Sequence, residues 1–139
     1  MVWQDSKDHL WRFAILRHTR QQDVHWDLLL ELPDRPLLAT WQVHSDPAEW
    51  TNYSAGVFSA AVRALPDHRR IYLDYQGPIS GDRGEVMRVD EGYFRLVSES
   101  GEKIVLEASG KKLQAHVELT LMDSAANLWQ LQVAAIQTH

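Results

Sequence analysis

The sequence contains no cysteine, which excludes a disulfide framework, thiolate zinc sites and a cysteine nucleophile together. Basic charge is also scarce. Fourteen Lys and Arg stand against 19 Asp and Glu, for a formal net charge of -5 and a pI near 5.7. That balance excludes bulk electrostatic binding of nucleic acid over a broad basic face, while leaving room for a local basic site. Long apolar runs are missing too. Stretches such as Leu28-Leu29-Leu30 fall far short of the roughly 20 residues that a spanning helix needs, and the start of the chain lacks a basic-then-apolar leader pattern. A soluble cytoplasmic protein with no membrane partner is the expectation.

What is present is globular in character. Hydrophobic residues make up 45% and charged residues 24% of 139, so the chain is neither disordered nor fibrous. A chain of this length hides about two-thirds of its unfolded surface and needs no staple. With no repeat, low-complexity block or linker in view, one domain over residues 1–139 and a monomer are expected. Seven histidines are the one suggestion of chemistry in the composition.

Period-two alternation dominates. Val24, Trp26, Leu28, Leu30 and Leu32 form one apolar row, and Leu113, Ala115, Val117, Leu119 and Leu121 form another. Strand pattern also fits Phe13 to Leu16, Leu37 to Val43, Val57 to Leu65, Ile71 to Tyr75, Glu85 to Val89, Tyr93 to Val97, Lys103 to Ala108 and Leu128 to Val133. Between them lie turn residues such as Pro33-Asp34, Gly77-Pro78, Glu91-Gly92 and Ser109-Gly110. The pattern predicts an all-β fold, a compact antiparallel β-barrel of roughly eight to ten short strands. Helix is confined to Ala48 to Ser54 or the tail, neither with a full cap pattern.

The row at even positions from Val24 puts His25, Asp27, Leu29 and Glu31 on the opposite face. A six-residue loop from Thr19 to Val24 sets His18 opposite His25 and Leu16 opposite Asp27. The same register places Phe13 and Ile15 beside Leu30 and Leu28, so both strands bury one side. Parity thus gathers His18, His25 and Asp27 in one patch, and two imidazoles with a carboxylate suit manganese, iron or zinc. The competing view is a solvated polar strand face. Glu31 shares the ligand face and is a candidate to orient the ligands.

A second alternating stretch puts His68, Arg70, Tyr72, Asp74 and Gln76 on one face, opposite Ile71, Leu73 and Tyr75. A histidine, a guanidinium and a phenol in line make a phosphate receptor, with Arg70 as its substrate contact. A plain polar strand exterior is the alternative. His9, His44, His116 and His139 have no partners derivable from the sequence and read as incidental.

These residues, in this order, resemble the 3′-phosphoesterase domain of bacterial DNA ligase D, which also occurs as short stand-alone proteins. The matching pieces are Arg12-Phe13, His18, His25-Trp26-Asp27-Leu28-Leu29-Leu30-Glu31 and Thr40-Trp41-Gln42-Val43-His44-Ser45. They continue with Asp67-His68, Tyr72, Tyr75-Gln76-Gly77, Gly81-Asp82-Arg83-Gly84 and Lys112-Leu113 to Leu119, so the similarity spans nearly the whole chain. The resemblance implies a manganese-dependent β-barrel that resects ribonucleotide and phosphate groups from DNA 3′ ends (primer-templates), a ligase or polymerase being supplied separately. It puts the metal, Mn²⁺ with Zn²⁺ or another divalent ion as substitute, on His18, His25 and Asp27. His68 and Tyr72 take the catalytic, phosphate-contacting roles.

Two positions depart from the family pattern. Its arginine two residues after the aspartate is Leu29 here, and its lysine after the tryptophan strand is Ser45. The interval from His18 to His25 is also one residue longer. Leucine offers no paired charge-assisted bonds to a phosphate. Metal binding is therefore expected to survive and phosphoesterase activity to be weakened, with Leu29 projecting from an open strand face. Three other readings compete: a silent module binding DNA ends or repair partners, a non-haem Fe(II) oxygenase using His25, Asp27 and a later histidine such as His116, and a metal-free small-ligand barrel.

Overall fold

The computed structural model describes residues 9–51 and 56–136. Among the described residues, nine antiparallel strands form one sheet: β1 Leu10–Arg20, β2 Asp23–Leu30, β3 Leu38–Val43, β4 Phe58–His68, β5 Gly77–Pro78, β6 Glu85–Glu99, β7 Lys103–Gly110, β8 Gln114–Asp123 and β9 Leu128–Ala134. The order runs β1-β2-β3-β4-β9-β8-β7-β6, and pairing of β1 with β6 closes these into a ring. The short β5 adds to β6 near its start, with Gly77 opposite Val86. This is the barrel-like all-β architecture expected from the alternation.

Alternation fills the lumen. Phe13, Ile15, Leu28, Leu30, Trp41, Phe94, Leu106, Val117 and Leu131 point inward as one continuous core. Trp41 and Trp129 meet edge to face, their ring centroids 5.5 Å apart. The first hairpin keeps the expected register, Phe13 opposite Leu30, Ile15 opposite Leu28, Leu16 opposite Asp27 and His18 opposite His25. Its loop is shorter than expected. The ladder continues through Thr19–Val24 and Arg20–Asp23, leaving a two-residue turn in which Gln21 takes φ 55°.

Three sequence expectations are corrected. The segments Glu85 to Val89 and Tyr93 to Val97 are one 15-residue strand. Gly92 does not turn the chain there; it lets the neighbouring strand approach, since a Cβ would sit 2.3 Å from the Ser109 carbonyl oxygen. The segment Ile71 to Tyr75 is not a strand. Arg70–Leu73 is a single 3₁₀ turn, with Leu73 buried and Ile71 exposed, an arrangement that strand parity forbids because both would share a face. The helix is Pro47–Trp50, and it does carry a full capping box: Asp46 accepts from the Ala48 N–H at 2.9 Å, and Glu49 accepts from the Asp46 N–H at 3.2 Å. Part of the segment expected to be helical, and the end of the tail, lie outside the described residues.

The 3₁₀ turn and the loop after β5 cover the outer face of β1 and β2. Beneath them Ala14, Leu16, Leu29, Leu38, Leu73 and Val86 form a second apolar cluster, with Tyr72, Tyr75 and Ile79 packed against it. Leu29 is 0% exposed. It shares a face with His25 and Asp27, as parity requires, but that face is not open at this position. Leu29→Arg is therefore expected to destabilise the protein by about 3–5 kcal/mol, the usual cost of an uncompensated buried charge. Urea denaturation of the variant tests this, and a midpoint equal to wild type would show that the cover lifts freely.

Candidate metal centre

The edge of that cover is where the chemistry collects. Asp27 is buried to 1% exposure, and three imidazoles surround its carboxylate. His25 Nε2 lies 3.2 Å from Oδ1; His18 Nδ1 and His68 Nε2 lie 3.8 and 3.9 Å from Oδ2. The His18 and His25 rings meet edge to face at 4.7 Å, as cross-strand neighbours do. One ligand atom from each of His18, His25 and Asp27 lies within 4.8 Å of the others. His68 arrives from the end of β4, opposite Leu38.

Backbone carbonyls fix two of the rings. His18 Nε2 lies 2.7 Å from the Arg83 carbonyl oxygen, and His68 Nδ1 lies 3.0 Å from that of Pro66. A carbonyl only accepts, so each of those nitrogens carries the hydrogen. The opposite nitrogens, His18 Nδ1 and His68 Nε2, then face Asp27 with lone pairs in their neutral rings. This is how histidine ligands are commonly oriented. Asp27 Oδ1, meanwhile, has His25 Nε2 at 3.2 Å but receives no well-aligned hydrogen bond. A buried carboxylate oxygen so weakly satisfied is costly, and a cation among these atoms would satisfy it. Imidazole and carboxylate donors suit Mn²⁺, Fe²⁺ and Zn²⁺ alike.

The His18 contact depends on a tight loop. Gly84 has φ +87°, and a Cβ there would lie 2.0 Å from the Thr19 carbonyl oxygen. Only glycine lets the loop lie this close to β1, and that closeness brings the Arg83 carbonyl to His18. Arg83 is tied into the same loop, its guanidinium donating to the carbonyl and hydroxyl oxygens of Ser80 at 2.7 and 3.2 Å.

A cavity of about 320 Å³ opens beside the cluster, lined by His18, Asp27, His68, Arg69, Tyr72 and Arg83 together with apolar residues that include Leu16, Ile79 and Val86. Tyr72 packs edge to face against His68 at 5.8 Å, and the Arg69 guanidinium lies 5.8 Å from the Tyr72 ring centroid. Thus His18, His25, Asp27, His68 and Tyr72 are brought together. Arg70 is not. It pairs with Glu31, whose other oxygen accepts from the Arg12 backbone N–H at 3.0 Å. Glu31 therefore anchors β1 and the 3₁₀ turn and does not orient the histidines. Asp74 leaves the supposed face as well, its carboxyl held below the ordinary range by a 2.7 Å bond from Arg12. Gln76 accepts from the Arg88 backbone N–H.

Sequence reasoning missed Arg83 and His44. The His44 ring lies 6.2 Å from His25, and parity had the means to find it, because His44 continues the row of Gln42, which stands opposite Asp27. Arg83 reaches the site through loop closure, which leaves no local pattern. Ser45 lies in the turn before the helix, its carbonyl accepting from Trp50 Nε1 at 3.0 Å. His116 belongs elsewhere, 2.9 Å from Glu118 on β8, and that hydrogen bond is the main cause holding the Glu118 carboxyl below its ordinary range. His9 packs on Trp11, and His139 is outside the described residues. No protein-family model and no curated protein matches the sequence. Among the described residues, no helix is long and apolar enough to cross a membrane.

Two variants test the centre by isothermal titration with Mn²⁺ and Zn²⁺. His25→Ala removes most of the affinity with the fold intact, and equal affinity in both proteins would move the site elsewhere; His9→Ala is the silent control. Gly84→Ala, which touches no ligand, is expected to lower affinity ~10- to 100-fold by displacing the carbonyl that orients His18. Unchanged affinity would sever that link.

Proposed function

We propose that this chain is a divalent-metal-dependent phosphoesterase acting on DNA 3′ ends, with manganese the first candidate metal. One observation carries the reading: the buried Asp27 carboxylate, whose Oδ1 accepts no well-aligned hydrogen bond, is ringed by His18, His25 and His68 beside a cavity. The ordered likeness to the ligase D phosphoesterase domain names the substrate. His18, His25 and Asp27 would hold the metal, which when bound supplies positive charge at a phosphoryl oxygen and acidifies a water.

The remaining work falls to the chain. Arg69 is exposed on the cavity rim, where its planar guanidinium suits two phosphate oxygens. Tyr72 presents its phenol beside His68 and orients the same group. His68 keeps Nδ1–H on Pro66, so its Nε2 is the atom that exchanges a proton with the cavity. In hydrolysis of a 3′-phosphate, a water oxygen bonds to phosphorus as the P–O3′ bond breaks. The electron pair left on O3′ takes a proton from His68 Nε2 in its doubly protonated form, and the proton shed by the attacking water restores that form.

A second reading, a silent module that binds the same ends, is favoured by one fact: position 29, the arginine of the family pattern, is a buried leucine. A labelled 3′-phosphate primer-template incubated with Mn²⁺ separates the two. The expected result is release of phosphate, lost in Asp27→Asn and reduced ~10²-fold or more in His68→Ala and in Arg69→Gln. Binding without release in the wild type favours the silent module. A purified protein that carries no metal and stays inert with added manganese defeats the enzyme reading.

A further inference from the structure

We propose that the outer face of β2, β3 and β4 beside the histidines is a track for the phosphodiester backbone of a single DNA strand, gripped by Arg20, His44 and Arg63. The inference rests on the phosphoesterase reading and adds where the strand leading to the reacting end lies.

Register lays the track out. Asp27 stands opposite Gln42, and Gln42 opposite Arg63. Residues directly opposite in an antiparallel ladder share a face, so these three side chains form a row. Two strand spacings separate its ends, about 10 Å. His44 lies two residues along from Gln42 on that side, next to the His25 ring. Arg20 lies two residues beyond His18 on β1, and Arg20, Gln42 and His44 line a second cavity of about 560 Å³ that shares His18 and Arg83 with the first. A continuous polar surface therefore runs from Arg63 to Arg20 and meets the site at Asp27 and His25.

Charge pairing singles out the same face. Arg12, Arg35, Arg70, Arg88 and Arg95 each lie against a carboxylate, as do Lys103 and Lys111. Arg20, Arg63 and Arg69 are exposed and have no carboxylate within 4.0 Å among the described residues. Arg17 and Lys112 are likewise unpaired there, but they border a different cavity with Trp26. Asp23 stands opposite Arg20 at the end of the ladder without an ion pair between them. In a chain of net charge -5, uncommitted guanidinia beside a candidate phosphate-processing site select a polyanion whose charges are phosphates. An acidic peptide offers carboxylates to the same groups but brings no phosphoryl group to Asp27.

Fluorescence anisotropy with a labelled oligothymidylate, in EDTA and over a range of salt, tests the track without the metal. Two or three contacts predict a slope of log K against log salt of roughly -1.4 to -2.1. Arg20→Gln and Arg63→Gln should each flatten the slope by ~0.7 and weaken binding several-fold, whereas Arg35→Gln should leave both unchanged. Wild-type slope and affinity in the double variant would overturn the proposal, as would displacement by polyglutamate at matched charge concentration. Hydrolysis with Mn²⁺ separates this from the underlying reading. If the track is right, the double variant loses rate on an oligonucleotide 3′-phosphate and keeps it on thymidine 3′-phosphate. Arginine-dependent oligonucleotide binding with no release from either substrate defeats the enzyme and keeps the track. Equal rates in wild type and double variant on both substrates keep the enzyme and defeat the track.

Discussion

A one-residue slip of β2 against β1 would carry His25 and Asp27 from the outer face of the sheet into its lumen and part them from His18. The register of that hairpin is therefore what the whole site depends on. It is fixed from three directions. Phe13, Ile15, Leu28 and Leu30 are all buried in the main core, and burying each is worth roughly 1.5–3 kcal/mol. The Gln21-Gln22 turn allows no slack between Arg20 and Asp23. β1 is also locked on its other edge by β6, from Leu10–Arg95 to Thr19–Glu85. A strand held on both sides cannot slide, so the two imidazoles meet across the ladder as a consequence of packing on the opposite face.

Register alone would leave a solvated polar patch. The cover makes it a site. Because the 3₁₀ turn and the loop after β5 bury Leu16 and Leu29 on the outer face, Asp27 sits at the edge of a dry region and loses most of its contact with water. The same cover delivers the Arg83 carbonyl to His18, while the end of β4 delivers His68 with its own carbonyl partner, Pro66. Burial raises the value of a cation beside the carboxylate, since charge interactions strengthen as water is excluded. Local carbonyls then aim the ring nitrogens at it. The outer cluster is small, yet it gathers three histidines around a buried aspartate.

The sequence revealed the parts governed by period two. The all-β ring, the hairpin register, and the shared face of His18, His25 and Asp27 all follow from alternation, because side-chain direction in a strand is set by position parity. What stayed hidden depends on groups that alternate with nothing. Ile71 to Tyr75 reads as a strand, but its 3₁₀ turn is stabilised by burial of Leu73 and by Arg70 with Glu31, both contacts across distant sequence. Gly92 reads as a turn and is a close approach between strands. The exposure of Leu29 could not be read because parity tells which way a side chain points, never what lies over it. Arg83 enters only when the loop closes on Thr19.

Position 29, where the proposed resemblance implies an arginine, involves more than one side chain. Leu29 packs with Leu73 and Leu38 beneath the 3₁₀ turn, and the turn is held by Arg70 on Glu31. An arginine at 29 would need either a carboxylate or water, and this cover supplies neither. The leucine, the buried Leu73 and the Arg70–Glu31 pair thus belong to one packing solution, in which the turn seats firmly and its first arginine is committed to structure. Cationic groups for an anion must then come from outside the apolar cluster. Arg69, one residue before the turn, stays exposed on the rim of the cavity, and Arg20 flanks the other side. The dry floor is kept apolar and charge is placed at its margin, where a guanidinium keeps its hydration.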